Sequence, residues 1–404
     1  MSYDLIVVGG GAAGFFASIT CAESSGKSVL ILEKTSQLLH KVKISGGGRC
    51  NVTHSCFEPR ELSRNYPRGE KSLIGPFYRF GVTETVDWFA RRGVELKTEP
   101  DGRMFPTTDS SQTIIDTLRS AAGAAAVEVK TSDGVSSLSK LGDHFVVETD
   151  NERVYTATNV VLATGGTRSA SGALLARSLG HESLPATPSL FTFKIKDPRI
   201  DGLLGVSVSP AVVSIEQNKL RSGGPVLITH WGLSGPGILK LSAWGARELA
   251  ATSYRFDVLV NWLPDRDPAA VIAEKRTAEA KRQLAARSPF ASIPKRLWQR
   301  LVAAASIADD TRWAQLSKVQ AAELVGQLTA SRFAVNGKST NKDEFVTCGG
   351  IALDEINFKT MESKLVDGLF FAGEIVDVDG ITGGFNFQNA WTTGFHAGAT
   401  ISSR

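Results

Sequence analysis

The stretch Asp4-Leu5-Ile6-Val7-Val8-Gly9-Gly10-Gly11-Ala12-Ala13-Gly14-Phe15 decides the fold. Four apolar residues, Leu5 to Val8, read as a buried strand. The glycines follow at once, and Phe15 to Ser24 reads as a helix. A second apolar strand, Ser28 to Leu32, ends at Glu33. Strand, glycine turn, helix and strand fit in about 30 residues, the length of a parallel βαβ unit.

The spacing Gly9-x-Gly11-x-x-Gly14 has a physical meaning in that setting. Gly9 permits the tight turn, Gly11 lets backbone approach a pyrophosphate, and Gly14 lets the helix pack on the strand. Ala12 and Ala13 open the helix, whose N-terminus offers N–H groups and partial positive charge to phosphate. Glu33, 19 residues after Gly14, is placed to accept hydrogen bonds from the adenosine ribose, with Lys34 beside it. A 2′-phosphate would be repelled there. The unit therefore predicts an α/β protein with a Rossmann-type dinucleotide site, and leaves NAD and FAD both open.

The far end of the chain separates them. Residues 368–384 read Gly-Leu-Phe-Phe-Ala-Gly-Glu-Ile-Val-Asp-Val-Asp-Gly-Ile-Thr-Gly-Gly. A strand ends at Gly373-Glu374, and a glycine-lined turn carrying Asp379, Gly383 and Gly384 leads through Phe385 into a helix from Asn386 to Ser402. In flavoproteins of the two-dinucleotide type, such a strand reaches the ribityl-phosphate. The helix N-terminus then faces the flavin edge that carries negative charge on reduction. A non-covalent FAD is the expected cofactor. The strand Val160–Ala163, running into Thr164 and Gly165, is expected on the adenine side, and Val135 completes the cofactor set. Gly46-Gly47-Gly48-Arg49-Cys50-Asn51 is expected to press backbone against the cofactor, with Arg49 free for a phosphate or the flavin ring.

No second GxGxxG follows a strand. Either NAD(P)H docks transiently as reductant, or a small substrate reduces the flavin directly with oxygen as acceptor. His230 in Thr-His-Trp-Gly-Leu-Ser-Gly-Pro is the candidate acid/base, since imidazole titrates near neutrality. Trp231 is a candidate pocket wall and Cys50 a candidate functional thiol. Arg103 suits an anionic substrate or a salt bridge, Asp377 and Asp379 organise the flavin turn, and His40 and His54 receive no role.

Composition narrows the classes. The chain has 404 residues, 42% of them hydrophobic, and a net charge of +4. Its basic residues look scattered; the densest run, Glu274 to Arg287, reads as one solvated helix face, so no nucleic-acid partner is expected. Cys21, Cys50, Cys56 and Cys348 form no CxxC, so neither a metal site nor a disulfide is expected. The chain opens without a leader or a membrane-length apolar run, which predicts a soluble cytoplasmic protein. The oligomeric state is not legible.

Composition shifts near Pro188, Pro264 and Phe345. They divide the chain into a nucleotide-binding domain of 1–189 and 346–404, a β-rich insertion of 190–263 and 331–345, and a helical subdomain of 264–330. Several long motifs then converge. Lys43-Ile44-Ser45-Gly46-Gly47-Gly48-Arg49-Cys50-Asn51-Val52-Thr53, Gly102-Arg103-Met104-Phe105-Pro106, Thr229-His230-Trp231-Gly232-Leu233-Ser234-Gly235-Pro236, Thr360-Met361-Glu362-Ser363-Lys364-Leu365 and the 368–384 run together resemble the BaiN/YhiN-type bacterial flavoprotein family. The resemblance covers nearly the whole chain in order. It implies an FAD-binding domain interrupted by a β-barrel-like domain and a small helical domain, with FAD held tightly. Its members are linked to bile-acid or other ring reductions and to oxidation of small amines such as aminoacetone. The expectation is an FAD-dependent oxidoreductase acting on a small molecule; the alternative is a flavoprotein with a partner-binding or RNA-modifying role.

Overall fold

A computed structural model describes residues 1–166, 171–339 and 346–404. Residues 340–345, at the expected return from the insertion, lie outside the described residues. The chain forms two compact units, Met1–Pro188 with Lys342–Arg404, and Ser189–Asn341.

The first unit is built on a nine-stranded sheet. Its parallel core runs, across the sheet, Glu128–Lys130, Val29–Leu32, Ser2–Val8, Val154–Leu162 and Leu369–Phe371. In chain order that is third, second, first, fourth and fifth, the doubly wound arrangement whose switch point lies beside the first strand. Leu5 to Val7, Leu30, Ile31 and Val160 to Leu162 have no solvent exposure. Both faces of these strands are therefore covered, which is why they read as continuous apolar runs instead of alternating ones.

The N-terminal helix, Ala12–Ser25, ends on Gly26 in the left-handed region. The C-terminal helix, Phe385–Ser402, starts after Gly384. The two pack at backbone distance. A Cβ on Gly394 would stand 2.7 Å from the Ala13 carbonyl oxygen, and one on Gly398 2.4 Å from that of Ala17. Glycines spaced by four put both bare backbones on one helix face.

Residues 37–67 contain two short helices, His40–Gly48 and Pro59–Ser63. The first departs from helical geometry over Ser45, Gly46 and Gly47, so its second half keeps the glycine-dependent conformation. The second unit holds two antiparallel sheets. One joins Leu220–Gly223, Val212–Ile215, Arg255–Asn261 and Ser331–Asn336; the other joins Ser207–Val208, Val226–Thr229, Gly232–Ser234, Thr192–Lys194 and Lys338–Ser339. Between Gly235 and Thr252, read as strand-rich, lie the helices Pro236–Trp244 and Ala246–Ala251. Pro236 sits at the start of the first, where a missing N–H costs nothing. Helices Pro268–Ala278, Lys295–Ala304 and Lys318–Thr329 complete the unit. No helix among the described residues is long and apolar enough to cross a membrane.

Candidate cofactor site

Strand register assembles the site. Val8 pairs with Leu32 on one side and Leu162 on the other, and Leu162 pairs with Phe371. Four strands thus end level. The next residues, Gly9, Glu33, Ala163 and Ala372, share one sheet edge at the carboxyl ends, where open α/β sheets bind ligands.

Gly9 has φ +115°, and a Cβ there would stand 2.4 Å from the Ala163 carbonyl oxygen. A Cβ on Gly14 would stand 2.0 Å from the Gly9 carbonyl oxygen. These two glycines are demanded by packing. Gly11 differs: a Cβ there would meet nothing within 4 Å. The chain is bare at Gly11 facing open space, at the N-cap of a helix with no side-chain cap. Its first-turn N–H groups and partial charge are available to an anion, worth roughly 0.3–1 kcal/mol and more when partly buried.

Glu33 stands at the tip of the second strand. Its carboxylate accepts from Gly10 N–H at 2.8 Å and from Thr35 N–H and hydroxyl at 2.9 and 2.8 Å. Lys34 lies at the same corner, beside the residues that lead into the strand Val135–Leu141. Asp133 N–H donates to the Glu33 carbonyl, and a Cβ on Gly134 would stand 2.9 Å from Lys34 Cβ. Among the described residues, the buried Thr164 hydroxyl oxygen has no hydrogen-bond partner, and a Cβ on Gly165 would meet nothing within 4 Å. Both observations suit a group seated beside this strand end.

Gly373 lies at φ +75°, and a Cβ there would stand 2.8 Å from that of Ala13. Glu374 accepts from Thr347 N–H at 2.7 Å and pairs with Lys41. The next turn is laced on all sides. Asn386 closes it through both amide atoms, accepting from Gly380 N–H at 2.8 Å and donating to Gly380 O at 2.9 Å. Asp379, fully buried, forms an ion pair with Arg68. Tyr66 donates to the Phe385 carbonyl at 2.6 Å, and His54 stacks on the Phe385 ring at 4.7 Å. Asp377 accepts from Gly349 N–H at 3.0 Å.

The loop 46–51 packs against this turn. Gly46, Gly47 and Gly48 have φ of +58°, +68° and +84°, a left-handed turn that only glycine adopts without strain. A Cβ on Gly384 would stand 2.4 Å from the Thr53 carbonyl oxygen, and Asn51, with its amide turned, accepts from Gly384 N–H at 2.9 Å. Arg49 is already engaged: its guanidinium meets Glu99 at 2.6 Å and lies 4.0 Å above the Phe105 ring. The Glu99 carboxylate holds the Arg49 pKa above its ordinary value. Arg103 joins the same network through Glu99 and Asp101, both at 2.8 Å.

Cys50 has no solvent exposure, and burial pushes its thiol pKa up to about 12. It stays protonated at neutral pH, which fits packing and gives no nucleophile. His230 and Trp231 belong to the second unit. They form the exposed turn between the paired strands Val226–Thr229 and Gly232–Ser234, with ring centroids 4.6 Å apart and Trp231 47% exposed. Sequence reasoning did not single out Lys41, Tyr66, Arg68 or Thr347, because each partner lies elsewhere in the chain and no local spacing announces it.

The two helix N-termini are staggered. Ala13 abuts Gly394 and Ala17 abuts Gly398, so the helices run parallel. The C-terminal helix therefore begins eight residues ahead of the N-terminal one, about 12 Å at ~1.5 Å per residue. Both termini lack a side-chain cap and carry the partial positive charge that attracts an anion.

Level strand ends, a bare Gly11 and two staggered termini define a Rossmann-type α/β protein of the FAD-binding kind. The chain belongs to the HI0933-like family, whose Rossmann-domain model matches residues 3–400. The resemblance read from the motifs is thereby confirmed. Over 98% of its length the chain is 30% identical to a 3-dehydro-bile acid delta(4,6)-reductase of Clostridium scindens, covering 98% of that protein. Over 97% it is 32% identical to a ribosomal RNA dihydrouridine synthase of Escherichia coli, covering 96% of it. Among solved structures, a 3-ketosteroid-delta4-(5alpha)-dehydrogenase from Rhodococcus jostii shares the fold, with TM-score 0.55, 15% identity and coverage of 100% of this chain and 97% of that one.

Proposed function

We propose that this chain is an FAD-dependent oxidoreductase that saturates a carbon–carbon double bond conjugated to a carbonyl in a ring. The observation carrying the cofactor is the stagger of two uncapped helix N-termini on one sheet edge. The reaction is supported by two whole-length relatives whose names share one chemistry: the delta(4,6)-reductase acts on a 3-dehydro ring system, and a dihydrouridine is a uridine whose ring double bond has been saturated.

FAD, when bound, supplies a two-electron carrier between a nicotinamide donor and the substrate carbon. The balance is one hydride from NAD(P)H and one proton from solvent, both added across the double bond. The chain's own residues hold and orient. The Gly11 turn and the N-terminal helix take the pyrophosphate, Glu33 the ribose, and the Phe385 end of the C-terminal helix the flavin edge. That terminus favours negative charge gained on reduction. His230 is the proposed proton carrier and Trp231 the proposed wall of the substrate pocket.

The test is direct. Protein purified under native conditions is denatured, the released cofactor is identified, and NADPH consumption is followed with 2-cyclohexen-1-one and with uridine-containing RNA. FAD in near one-to-one ratio, with consumption dependent on either substrate, is expected. Colourless protein, or a flavin oxidised only by oxygen, would remove the reading.

A further inference from the structure

We propose that the cavity between the helices His40–Gly48 and Ser111–Ala124 binds a phosphate dianion, free or carried as a monoester. Two sources supply that chemistry: inorganic phosphate, and the 2′-phosphate of NADPH. The second source rests on the reductase reading above; the site itself stands on geometry and charge.

Helix periodicity brings the lining together. His40 and Lys43 stand three apart on the first helix. Gln112, Ile115 and Arg119 follow at intervals of three and four on the second. Each set therefore shares one helix face. The two faces meet across a cavity of about 190 Å³, to which Gln37 and Leu38 also contribute. The Ser111 hydroxyl donates to the Lys43 carbonyl at 2.8 Å and ties one helix to the other. Ile115 is buried, whereas Gln37, His40, Lys43, Gln112 and Arg119 are exposed, so the floor is apolar and the rim polar.

The rim is basic and unneutralised. No carboxylate lines the cavity, and among the described residues neither Lys43 nor Arg119 makes an ion pair. Asp116, three residues before Arg119, accepts from the Gln112 amide at 2.8 Å and stays outside the lining. Two cations, an imidazole and two amides thus offer donors from several sides. A guanidinium fork matches a pair of phosphate oxygens, and an ammonium adds a point charge. The volume lies below the roughly 300 Å³ at which pockets for whole small molecules begin. At ~30 Å³ per water it equals about six waters, which suits one tetrahedral oxyanion with part of its hydration.

The cavity borders the cofactor edge. Leu39 N–H donates to the Gly10 carbonyl at 2.9 Å, and a Cβ on Gly10 would stand 2.6 Å from Leu38 Cδ2. One wall therefore rests on the glycine turn. The helix that carries His40 and Lys43 runs on into Gly46, Gly47 and Gly48. Glu33 would repel a 2′-phosphate at the glycine turn, whereas this cavity attracts one. A nucleotide bearing that phosphate is thereby directed to a place beside the FAD position and away from it.

The experiment titrates flavin-loaded full-length protein with inorganic phosphate, NADP⁺ and NAD⁺ in a calorimeter, at constant ionic strength set with KCl. Phosphate is expected to bind, and NADP⁺ to bind about tenfold or more tightly than NAD⁺, with phosphate competing. The double variant Lys43→Gln, Arg119→Gln is expected to lose both the phosphate heat and the NADP⁺ advantage. Arg119→Lys, which keeps the charge without the fork, should fall between. All variants should keep the wild-type flavin content and spectrum. Phosphate binding that the double variant loses, without any preference for NADP⁺, upholds the site with free phosphate as its ligand. Phosphate that binds no better than chloride, or binds wild type and double variant alike, overturns the proposal. If the double variant loses phosphate binding while NADPH bleaches no flavin even in the wild type, the reductase reading falls and the site stands. NADPH-driven enone reduction without phosphate binding gives the reverse.

Discussion

Gly398 lies against Ala17 so closely that a Cβ would stand 2.4 Å from the Ala17 carbonyl oxygen. That approach and its neighbour, Gly394 on Ala13, set how far the C-terminal helix reaches beyond the N-terminal one. A larger side chain must push the helices apart. Gly398→Leu is expected to cost about 1–3 kcal/mol by overpacking and to lower flavin content. Thermal unfolding with flavin absorbance checks this; a stable, fully yellow variant would show that the helix pairing does not set the site.

Gly11 and Gly14 make opposite demands. Gly11→Asp meets open space and leaves the fold intact, yet places a carboxylate where the pyrophosphate would lie. It is expected to give folded, colourless protein. Gly14→Ala places a Cβ 2.0 Å from the Gly9 carbonyl oxygen and is expected to disrupt the turn itself. Circular dichroism and flavin content together separate the two outcomes; full occupancy in Gly11→Asp would sink the phosphate assignment.

The buried pair of Arg68 and Asp379 holds the segment before the C-terminal helix. Removing one partner strands a charge, a loss of about 3–5 kcal/mol for buried pairs. Asp379→Ala should therefore unfold at markedly lower denaturant concentration. A midpoint shift no larger than that of a surface substitution would contradict the role.

Three titrations carry signs. Burial holds the His396 pKa below its ordinary 6.5, so the unfolded chain takes up the proton first as pH falls. Stability is full above 6.5 and is lost progressively below it. Burial also raises Cys21 to about 11 and Cys50 to about 12 from 9.0. Their contribution is present below pH 9 and is lost as pH rises through those values. At pH 8 a thiol reagent is expected to label half-buried Cys56 ahead of Cys21 and Cys50. Early labelling of Cys50 would restore it as a candidate functional thiol.

His230 sits on an exposed hairpin turn. His230→Ala is expected to keep FAD and to slow turnover most at low buffer concentration, where a proton carrier matters. Rapid-mixing kinetics identical to wild type would remove it from the mechanism.

The cofactor edge was legible because it is local. Leu5–Gly14 and residues 368–384 are contiguous strings in which strand, turn and helix follow within a few residues. Their meeting on one edge follows from parallel register. What was not legible is long-range. Arg68 finds Asp379 and Lys41 finds Glu374 across more than three hundred residues, and no spacing rule reaches that far. Arg49 reads as a free cation until Glu99 and Phe105 are seen around it. The helix His40–Gly48 was hidden because its glycines argue for loop, and half of it is a left-handed turn. The run Glu274 to Arg287 reads as one helix face because it holds neither glycine nor proline, yet the helix Pro268–Ala278 ends inside it.

The most direct measurement is anaerobic. The holoprotein is bleached with one equivalent of NADPH under nitrogen, and 2-cyclohexen-1-one or the uridine-containing RNA is then added. The account predicts return of the oxidised flavin band with formation of the saturated ring. A band that returns only on admitting air would contradict it and make the protein an oxidase.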